Sequence, residues 1–509
     1  MFVREKNNKS GLVSIQIIDK SSGKIIDKSS GKYKVLKTIG SSKEPLAIEK
    51  LAEQGQEWID NYLGILEFDF DNIEATEQFI GNIEQITIAG TELLLGRIFD
   101  EIGFNKIEEK LFRELVLSRI IYPVSKLKTT DLLAKYQDIT LKVQNIYRYL
   151  DKLYTSEKEQ IQQISYSHTL KVLNENISIV FYDVTTLYFE IDQEDEIRKR
   201  GFSKDGKHQN PQIILGLLVS LGGYPLAYEI FEGNKFEGHT MLPIIDRFKE
   251  KYNLEKLVIV ADSGLLSNDN IQELKKKRYE FILGARIKNE RQEIKTQILA
   301  LEFSDKESKN IKKDDLRLIV SYSAKRAKKD KFNRERGLKR LKAQIKSGKL
   351  IKSNINNRGY NKYLIFDGNV KISLDEQKVE DDGKWDGLKG YLTNTELSKE
   401  EIMENYANLW KIEEAFRISK HDLKIRSIFH RLQKRIEAHI TISFVAYKIY
   451  KELERQLKEK KASLSPEKAI DIAKTIYCVK VKVPTTDKTI SKTLWLNDEQ
   501  KYLAKLFNL

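Results

Sequence analysis

The order of hydrophobic and polar residues divides the chain into strand-like and helix-like segments. In residues 1–45 the β-rich runs VSIQII and YKVLKTI are joined by the tandem octads DKSSGKII and DKSSGKYK, whose Ser-Ser-Gly elements are typical of turns. Residues 46–63 have helical periodicity. Residues 1–75 are therefore predicted to be a β-hairpin region with one helix. Residues 76–172 are predicted to be a domain of short helices, either a DNA-binding bundle or an ordinary helical domain.

The pattern then changes to apolar, β-branched runs. Residues 173–290 contain SIVFYDVTTLYF, then QIILGLLVSL and YPLAYEIF around a Gly-Gly turn, then KLVIVAD and YEFILGAR with a helix between them. This order predicts an α/β core, a mixed sheet covered by helices. Residues 291–395 interrupt it with the strand-like runs LRLIVSY and KYLIFDG. Residues 396–457 are predicted to be core helices, and residues 458–509 C-terminal helices that could serve in dimerisation.

The charge of the chain is concentrated in one segment. The 509 residues include 89 Lys and Arg against 75 Asp and Glu, a formal net charge of +14. Residues 312–362 hold 18 Lys and Arg against 4 Asp and Glu, and the rest of the chain is electrically balanced. Such a block is either a solvated helix face or a surface for a polyanion. The second interpretation predicts DNA contacts by Arg326, Arg334 and Arg336.

Other features exclude several classes of protein. The single cysteine, Cys478, excludes a disulfide framework and a thiolate metal cluster. The N-terminal residues MFVREKNNKSG lack the apolar stretch of a secretory signal, and the longest apolar run is about half the length of a membrane helix. We therefore expect a cytoplasmic protein with no membrane partner. No metal ligand is predicted among five scattered histidines, His208, His239, His421, His430 and His439.

Carboxylates follow two of the predicted strands. Asp183 comes after SIVFY and Asp262 after LVIVA, so both are expected at the rim of the sheet, where ligands of open α/β sheets bind. Either Asp alone could equally be a turn former. Two carboxylates that converge there repel each other unless a cation compensates, and hard oxygen ligands suit Mg²⁺.

A third carboxylate, Glu413, lies on the predicted helix NYANLWKIEEAFRISKHDLK. Tyr406 and Lys420 are seven residues before and after it, so all three are predicted within about 20° of one line on the helix. Arg417 shares that face, whereas Glu414 points about 100° away and is the less favoured ligand. A solvated face with a Glu413–Arg417 ion pair is the alternative.

Together these motifs resemble the DDE transposases of bacterial insertion sequences. The matching text is YDVTTLYFE, GFSKDGKHQNPQIILGLLVSLGGYPLAYEIFEGN, VIVADSGLLS and GLKGYLTNTELSKEEIMENYANLWKIEEAFRISKHDLKIRSIFH, and the resemblance covers most of the chain. It is similar to the hairpin-forming branch, whose signature is Tyr-x2-Arg-x3-Glu-x6-Lys, although Leu409 stands at the Arg position. The resemblance implies a ribonuclease-H-like mixed sheet with flanking helices, interrupted by a β-rich insertion at residues 291–395.

The resemblance also implies roles for individual residues. Asp183, Asp262 and Glu413 would hold two Mg²⁺ ions, or Mn²⁺ in their place, that clamp the attacking and leaving oxygens of an in-line displacement. The residues implied to contact DNA near the scissile bond are Tyr406, Arg417, Lys420, Lys204 and Lys207. The last two belong to the loop GFSKDGKHQN, which could equally be a plain exposed loop. Trp385 and Trp410 could stack on a displaced base, but core packing is favoured for both.

The predicted function is that of a transposase. It would bind double-stranded DNA at the terminal inverted repeats of its own insertion sequence, cleave it, and join the 3′-OH ends to target DNA. A homodimer on paired ends, in the bacterial cytoplasm at the nucleoid, is expected. The alternatives are a metal-dependent endonuclease without strand transfer and a non-catalytic DNA-binding derivative of a transposase.

Overall fold

The computed structural model describes most of the chain in two compact units. The described residues are 1–19, 34–63, 80–174, 176–203, 205–265, 267–348, 350, 356, 359–367, 371–426, 428–482 and 489–509. The smaller unit comprises residues 1–85 and 479–492, and the larger unit residues 86–478 and 493–509. In the described ranges, no helix combines the length and the apolar character that crossing a membrane requires.

The smaller unit is built on a three-stranded antiparallel sheet with one helix packed on it. Its elements are β1 (Phe2–Asn7), β2 (Val13–Asp19), β3 (Lys34–Ser42) and α1 (Pro45–Leu63). The strand order is β1-β2-β3, and α1 covers the face that buries Ile15. Strands β2 and β3 coincide with the VSIQII and YKVLKTI runs. Most of the two octads between them lies outside the described residues.

Strand β4 (Ile83–Ile88) leads into a group of short helices, in the region where the sequence pattern is helical. They are α2 (Arg97–Ile102), α3 (Lys110–Ile121), α4 (Lys126–Gln137), α5 (Val143–Lys152) and α6 (Lys158–Val172). Phe99, Phe104 and Phe112 pack together at their centre, with ring centroids 5.5 to 6.2 Å apart. Gly103 ends α2 with a φ of 101°, a left-handed conformation that favours glycine.

The larger unit is organised by an eight-stranded mixed sheet in the order β10-β11-β14-β9-β8-β5-β6-β7. The strands from residue 179 onward are β5 (Ile179–Tyr188), β6 (Gln212–Ser220), β7 (Pro225–Glu232), β8 (Val258–Ala261), β9 (Glu280–Ala285), β10 (Ser308–Lys313), β11 (Leu316–Tyr322), β12 (Leu364–Asp367), β13 (Lys371–Leu374), β14 (Leu388–Thr393), β15 (Tyr477–Lys482) and β16 (Thr489–Leu494). Strands β12 and β13 pair as a separate hairpin, and β16-β15-β4 form a three-stranded sheet.

Helices cover both faces of the large sheet, which explains why a strand such as β6 is buried along its whole length. The remaining helices are α7 (Met241–Tyr252), α8 (Asn268–Lys276), α9 (Gln292–Leu299), α10 (Ala324–Lys346), α11 (Glu376–Gly383), α12 (Lys399–Ala407), α13 (Trp410–Arg417), α14 (Gln433–Glu459), α15 (Pro466–Ala473) and α16 (Asp498–Phe507). The predicted mixed α/β architecture with flanking helices is confirmed. Helix α14 lies in the interior, with every residue from Ile436 to Leu453 buried.

Residues 291–395, the segment predicted to interrupt the core, contribute further strands to the central sheet. Strands β10, β11 and β14 extend the central sheet beyond β9, each antiparallel to its neighbour. The basic block between β11 and the β12–β13 hairpin is largely the 23-residue helix α10. Its Lys, Arg, Ala and Leu residues favour a helix, and the Ser323 hydroxyl caps it by accepting a hydrogen bond from the backbone N–H of Arg326.

An ion pair helps to attach helix α10 to the segment that precedes β14. The Arg334 guanidinium donates two hydrogen bonds to the carboxylate of Asp386, which lies just before β14, and both side chains are mostly buried. A two-pronged pair of this kind fixes geometry as well as distance. Arg334 therefore holds the helix in place.

Replacing Arg334 should loosen this attachment. We expect Arg334→Met to lower the free energy of unfolding by about 1.5–3 kcal/mol, because Asp386 loses charge-assisted hydrogen bonds. Urea unfolding measures the change. Arg336→Met, two residues along the same helix but exposed, is the control and should change stability little; equal losses in both variants would contradict the assignment.

Candidate active site

The pairing of β5 with β8 places two carboxylates side by side. These strands are parallel, with Tyr182 opposite Ala261. Asp183 directly follows Tyr182, and Asp262 directly follows Ala261. Adjacent strands lie about 4.8 Å apart. Residues at matching positions of parallel neighbours point to the same face, so both carboxylates lie on one face of the sheet. Strand β5 continues to Tyr188, paired with β6, so Asp183 lies within its strand and only Asp262 lies at a strand end.

Glu413 reaches the same face through α13, which packs against β5 and β6. It lies in the first turn of α13, is exposed, and forms no ion pair within the described residues. The preceding helix α12 packs against β8 and β9. It begins with a capping box in which Ser398 and Glu401 satisfy each other's backbone N–H groups. The two helices bring Glu413 and Tyr406 to the edge where Asp262 lies.

The single helix predicted from the sequence is interrupted twice. Asn408 and Leu409 form a tight turn between α12 and α13, and a π-helical turn at Ile418–Asp422 follows α13. A tight turn advances the chain by more than 100° per residue and a π turn by less, so the seven-residue spacing no longer keeps side chains in line. Tyr406 is buried, Glu413 is exposed, and Lys420 is mostly buried.

Tyr406 binds one of the carboxylates directly. Its hydroxyl donates a hydrogen bond to Oδ1 of Asp262 over 2.8 Å. Burial raises the pKa of Tyr406, and the charges of Asp262 and Glu413 raise it further, so the phenol stays protonated and remains a donor. The side chain reaches this position over Gly284 of β9, where a Cβ would overlap the hydroxyl. The geometry makes Tyr406 a positioning residue for Asp262, and its predicted phosphate contact stays a prediction.

Sequence analysis missed a lysine in the same place. Lys389 on β14 lies with its Nζ 4.3 Å from the ring centroid of Tyr406 and 5.5 Å from that of Tyr391. Burial lowers the pKa of Lys389 and Arg326 lowers it further, whereas Asp262 and Glu413 raise it. Its ammonium group is thus within electrostatic range of both carboxylates and offsets part of their repulsion. Lys389 belongs to the run GLKGYLTN, which is part of the text that resembles the transposases. The alternation of side chains along a strand does not show which face of β14 is turned toward the site.

The predicted DNA contacts separate into exposed and internal residues. Arg326 and Arg336 are exposed on α10, and Arg417 is exposed beside Glu414 and Asp422, at 3.9 and 3.6 Å, rather than paired with Glu413. Arg334 is mostly buried and is paired with Asp386.

The loop GFSKDGKHQN lies beside the segment that follows α13. Its Asp205 pairs with Lys420 at 3.6 Å and with Arg426 at 3.1 Å. Lys420 is therefore paired inside the protein rather than exposed to DNA. Lys207 is exposed, with its Nζ 5.8 Å from the ring centroid of Tyr188, and Lys204 lies outside the described residues.

The two tryptophans and Leu409 differ in their exposure. Core packing describes Trp385, which is buried, but is wrong for Trp410, which is exposed. Leu409 is buried in the core, so this position holds an apolar residue and offers no charge to DNA. No three His, Cys, Asp or Glu side chains of the described ranges lie close enough together to form a ready-made metal site.

Comparison with known proteins identifies the family. The family model described as "Transposase DDE domain" matches residues 175–449. The chain belongs to this family. The matched segment runs from just before β5 into α14 and contains all three carboxylates. It confirms the predicted class, a transposase that acts in DNA transposition and recombination.

Solved structures with some likeness to this transposase are also transposases. The piggyBac transposase synaptic complex with hairpin DNA is 9% identical, with 72% of this chain and 69% of that chain covered and a TM-score of 0.37. The Mos1 transposase paired-end complex with left transposon end is 11% identical, with 33% and 57% covered and a TM-score of 0.16. A search of the curated proteins found no match.

The contact between Tyr406 and Gly284 can be tested by substitution. Gly284→Ala should lower the free energy of unfolding by about 1–3 kcal/mol, because the added methyl group displaces the phenol from Asp262. In a Tyr406→Phe background the same substitution should cost less, since the overlapping oxygen is gone. Urea unfolding of the four proteins gives this difference. Gly264→Ala, where a Cβ meets open space, is the control; an equal cost in both backgrounds would contradict the contact.

Proposed function

We propose that this transposase cleaves the ends of its own insertion sequence and joins the resulting 3′-OH ends to target DNA. The observation that supports the proposal most strongly is the parallel register that sets Asp183 beside Asp262, with Glu413 brought over the same face. Acidic groups so arranged need a cation to offset their repulsion. The reaction needs no covalent protein–DNA bond, so no nucleophilic side chain is required.

The donor set suits Mg²⁺, with Mn²⁺ as a substitute. Asp183, Asp262 and Glu413 offer hard carboxylate oxygens. Two of them, Asp262 and Glu413, already interact electrostatically with the ammonium group of Lys389. Two bound ions would activate the attacking oxygen and stabilise the leaving oxygen of an in-line displacement. Within this scheme the three carboxylates hold the ions, Tyr406 fixes the orientation of Asp262, and Lys389 supplies positive charge beside them.

A ribonuclease-H-like core is part of the proposal. Strands β7-β6-β5-β8-β9 follow the order three-two-one-four-five along the chain. Strand β6 is antiparallel to both of its neighbours, whereas β7, β8 and β9 all run parallel to β5. Strands β14, β11 and β10 extend this core where the sequence predicted an insertion. The arrangement keeps the first and fourth strands adjacent, which is the pairing the carboxylates require.

The DNA end is proposed to run along α10. Arg326 near the start of this helix acts electrostatically on Lys389, so the helix begins close to the carboxylates. Its exposed basic residues are Lys325, Arg326, Lys328, Lys329, Lys331, Arg336, Lys339, Arg340, Lys342 and Lys346. A row of cations of this length matches the closely spaced phosphates of a duplex. Exposed Phe332, with the Arg336 guanidinium 5.8 Å from its ring centroid, adds an apolar surface.

The proposal includes double-stranded DNA as partner, both as transposon ends and as target. A homodimer on paired ends is the assembly that joining two ends requires. Strand transfer distinguishes this function from that of an endonuclease built on the same site. An assay that supplies a 3′-OH end and a target plasmid should yield joined products; cleavage without joining would favour the endonuclease.

The carboxylates can be tested one at a time. Asp183→Asn should abolish Mg²⁺-dependent cleavage of end DNA while binding of that DNA survives, because the substitution removes a ligand charge and leaves the fold intact. Glu414→Gln is the matched control. Glu414 adjoins Glu413 but pairs with Lys451 at 3.4 Å, so cleavage should remain. Cleavage that persists in Asp183→Asn would exclude the assigned site.

The role of α10 predicts a change in salt dependence. Replacing Lys325, Lys328, Lys329 and Lys331 by Gln should flatten the plot of log binding constant against log salt concentration by up to about 3–4 units. Fluorescence anisotropy with labelled end DNA measures this slope. The control replaces four exposed lysines elsewhere, Lys458, Lys460, Lys461 and Lys501. Equal slopes for the two fourfold variants would show that α10 is an ordinary solvated surface and does not bind the DNA end.

A further inference from the structure

A group of buried basic side chains takes no part in the proposed reaction. Arg119 on α3, Lys126 at the start of α4, His430, and His439 on α14 are 5%, 6%, 9% and 3% exposed. The two imidazole rings have centroids 5.6 Å apart, and α3 packs against both α4 and α14. We call these four residues the buried basic cluster.

The cluster has no acidic partner. In the part of the chain that the structure describes, none of its members forms an ion pair with a carboxylate. Burial lowers the pKa of Arg119 to about 10, and burial together with Arg119 lowers that of Lys126. Burial lowers the pKa of His430 to about 4, with Lys126, Arg435 and Arg119 adding to the effect. The groups therefore act on one another without a compensating negative charge.

Hydrogen-bonding capacity is also unused. Nε of Arg119 and Nδ1 of His439 are buried without a hydrogen-bond partner among the described residues. An arginine Nε can only donate, and leaving such a donor unsatisfied is costly. Ser125 caps α4, but its first turn carries Lys126 and no acidic residue, so a cation lies at the positive end of the helix dipole.

Two other buried lysines, Lys448 and Lys451, have partners for their ammonium groups. Lys448, fully buried on α14, donates to the carbonyl oxygen of Ser165 over 3.1 Å and to the hydroxyl of Thr169. Lys451 pairs with Glu414 and Glu454. Arg435, the cation that borders the cluster, is bound by Asp151 through hydrogen bonds of 2.8 and 2.9 Å. The buried basic cluster departs from this pattern.

We propose that the buried basic cluster is a binding site for a phosphate group. The guanidinium of Arg119, the ammonium group of Lys126, the imidazole of His430 and the N-terminus of α4 together provide donors and positive potential of the kind that a phosphate requires. The backbone beside the cluster belongs to the segment that follows α13. There the carbonyl oxygen of Lys424 accepts a hydrogen bond from Arg119, and that of Ile425 accepts one from Nε2 of His439. A DNA backbone phosphate and free inorganic phosphate share this chemistry; the first source rests on the proposed function.

Thermal unfolding of the full chain tests the site without DNA. Inorganic phosphate should raise the Tm of the wild type by several degrees relative to chloride at equal ionic strength, because a ligand that binds the folded state stabilises it. Lys126→Met should abolish this rise. Lys128→Met, exposed on the same helix, should keep it. A rise of equal size in all three proteins would overturn the proposal.

A second measurement does not depend on the variants folding. The ³¹P resonance of inorganic phosphate should broaden on addition of wild-type protein, and the broadening should disappear when sulfate is added as a competitor. A resonance unchanged by the wild-type protein, together with an absent thermal shift, would also overturn the proposal. Both readouts are independent of cleavage, so they separate this site from the proposed function.

DNA in which single phosphates are replaced by neutral methylphosphonates identifies the source. If a DNA phosphate enters the cluster, one neutral linkage should weaken binding to the wild type and to Lys128→Met at least tenfold, but should leave binding to Lys126→Met unchanged. If no linkage has this effect while inorganic phosphate still stabilises the protein, the cluster holds free phosphate. Either result supports a phosphate site.

Discussion

The parallel pairing of β5 with β8 is the constraint on which the rest of the site depends. It fixes Asp183 next to Asp262 on one face of the central sheet. Carboxylates held side by side repel each other unless positive charge or hydrogen-bond donors offset the repulsion. The neighbouring elements respond to this requirement: Tyr406 donates a hydrogen bond to Asp262, and Lys389 on β14 brings its ammonium group within range.

Charge compensation also explains the layout of the larger unit. The sheet continues past β9 through β14 and β11, and α10 begins directly after β11. A helix anchored by Arg334 thereby starts near the carboxylates and presents most of its basic residues to solvent. In the proposed reaction, the acidic groups would hold metal ions and the basic helix would bind the phosphates of the DNA.

Sequence patterns predicted the strands of the central sheet well, because buried, β-branched apolar runs are a local signal. The metal-binding roles of Asp183, Asp262 and Glu413 stay a prediction. The pattern was less informative where side-chain direction depends on distant contacts. Tyr406 and Lys420 do not share a helix face with Glu413, because a tight turn and a π turn change the rotation per residue between them. The role of Lys389 depends on the pairing of β14, and that of Arg334 on a partner 52 residues away. Neither is encoded in local periodicity.

The central claim is that Asp183, Asp262 and Glu413 together hold divalent cations. Calorimetric titration of the DNA-free protein with Mn²⁺ tests it most directly, because it reports binding without requiring cleavage. The account predicts that the wild type binds Mn²⁺, that Asp262→Asn loses this binding, and that Lys389→Met binds more tightly since a competing cation is gone. Binding by Asp262→Asn with the affinity and stoichiometry of the wild type would contradict the account.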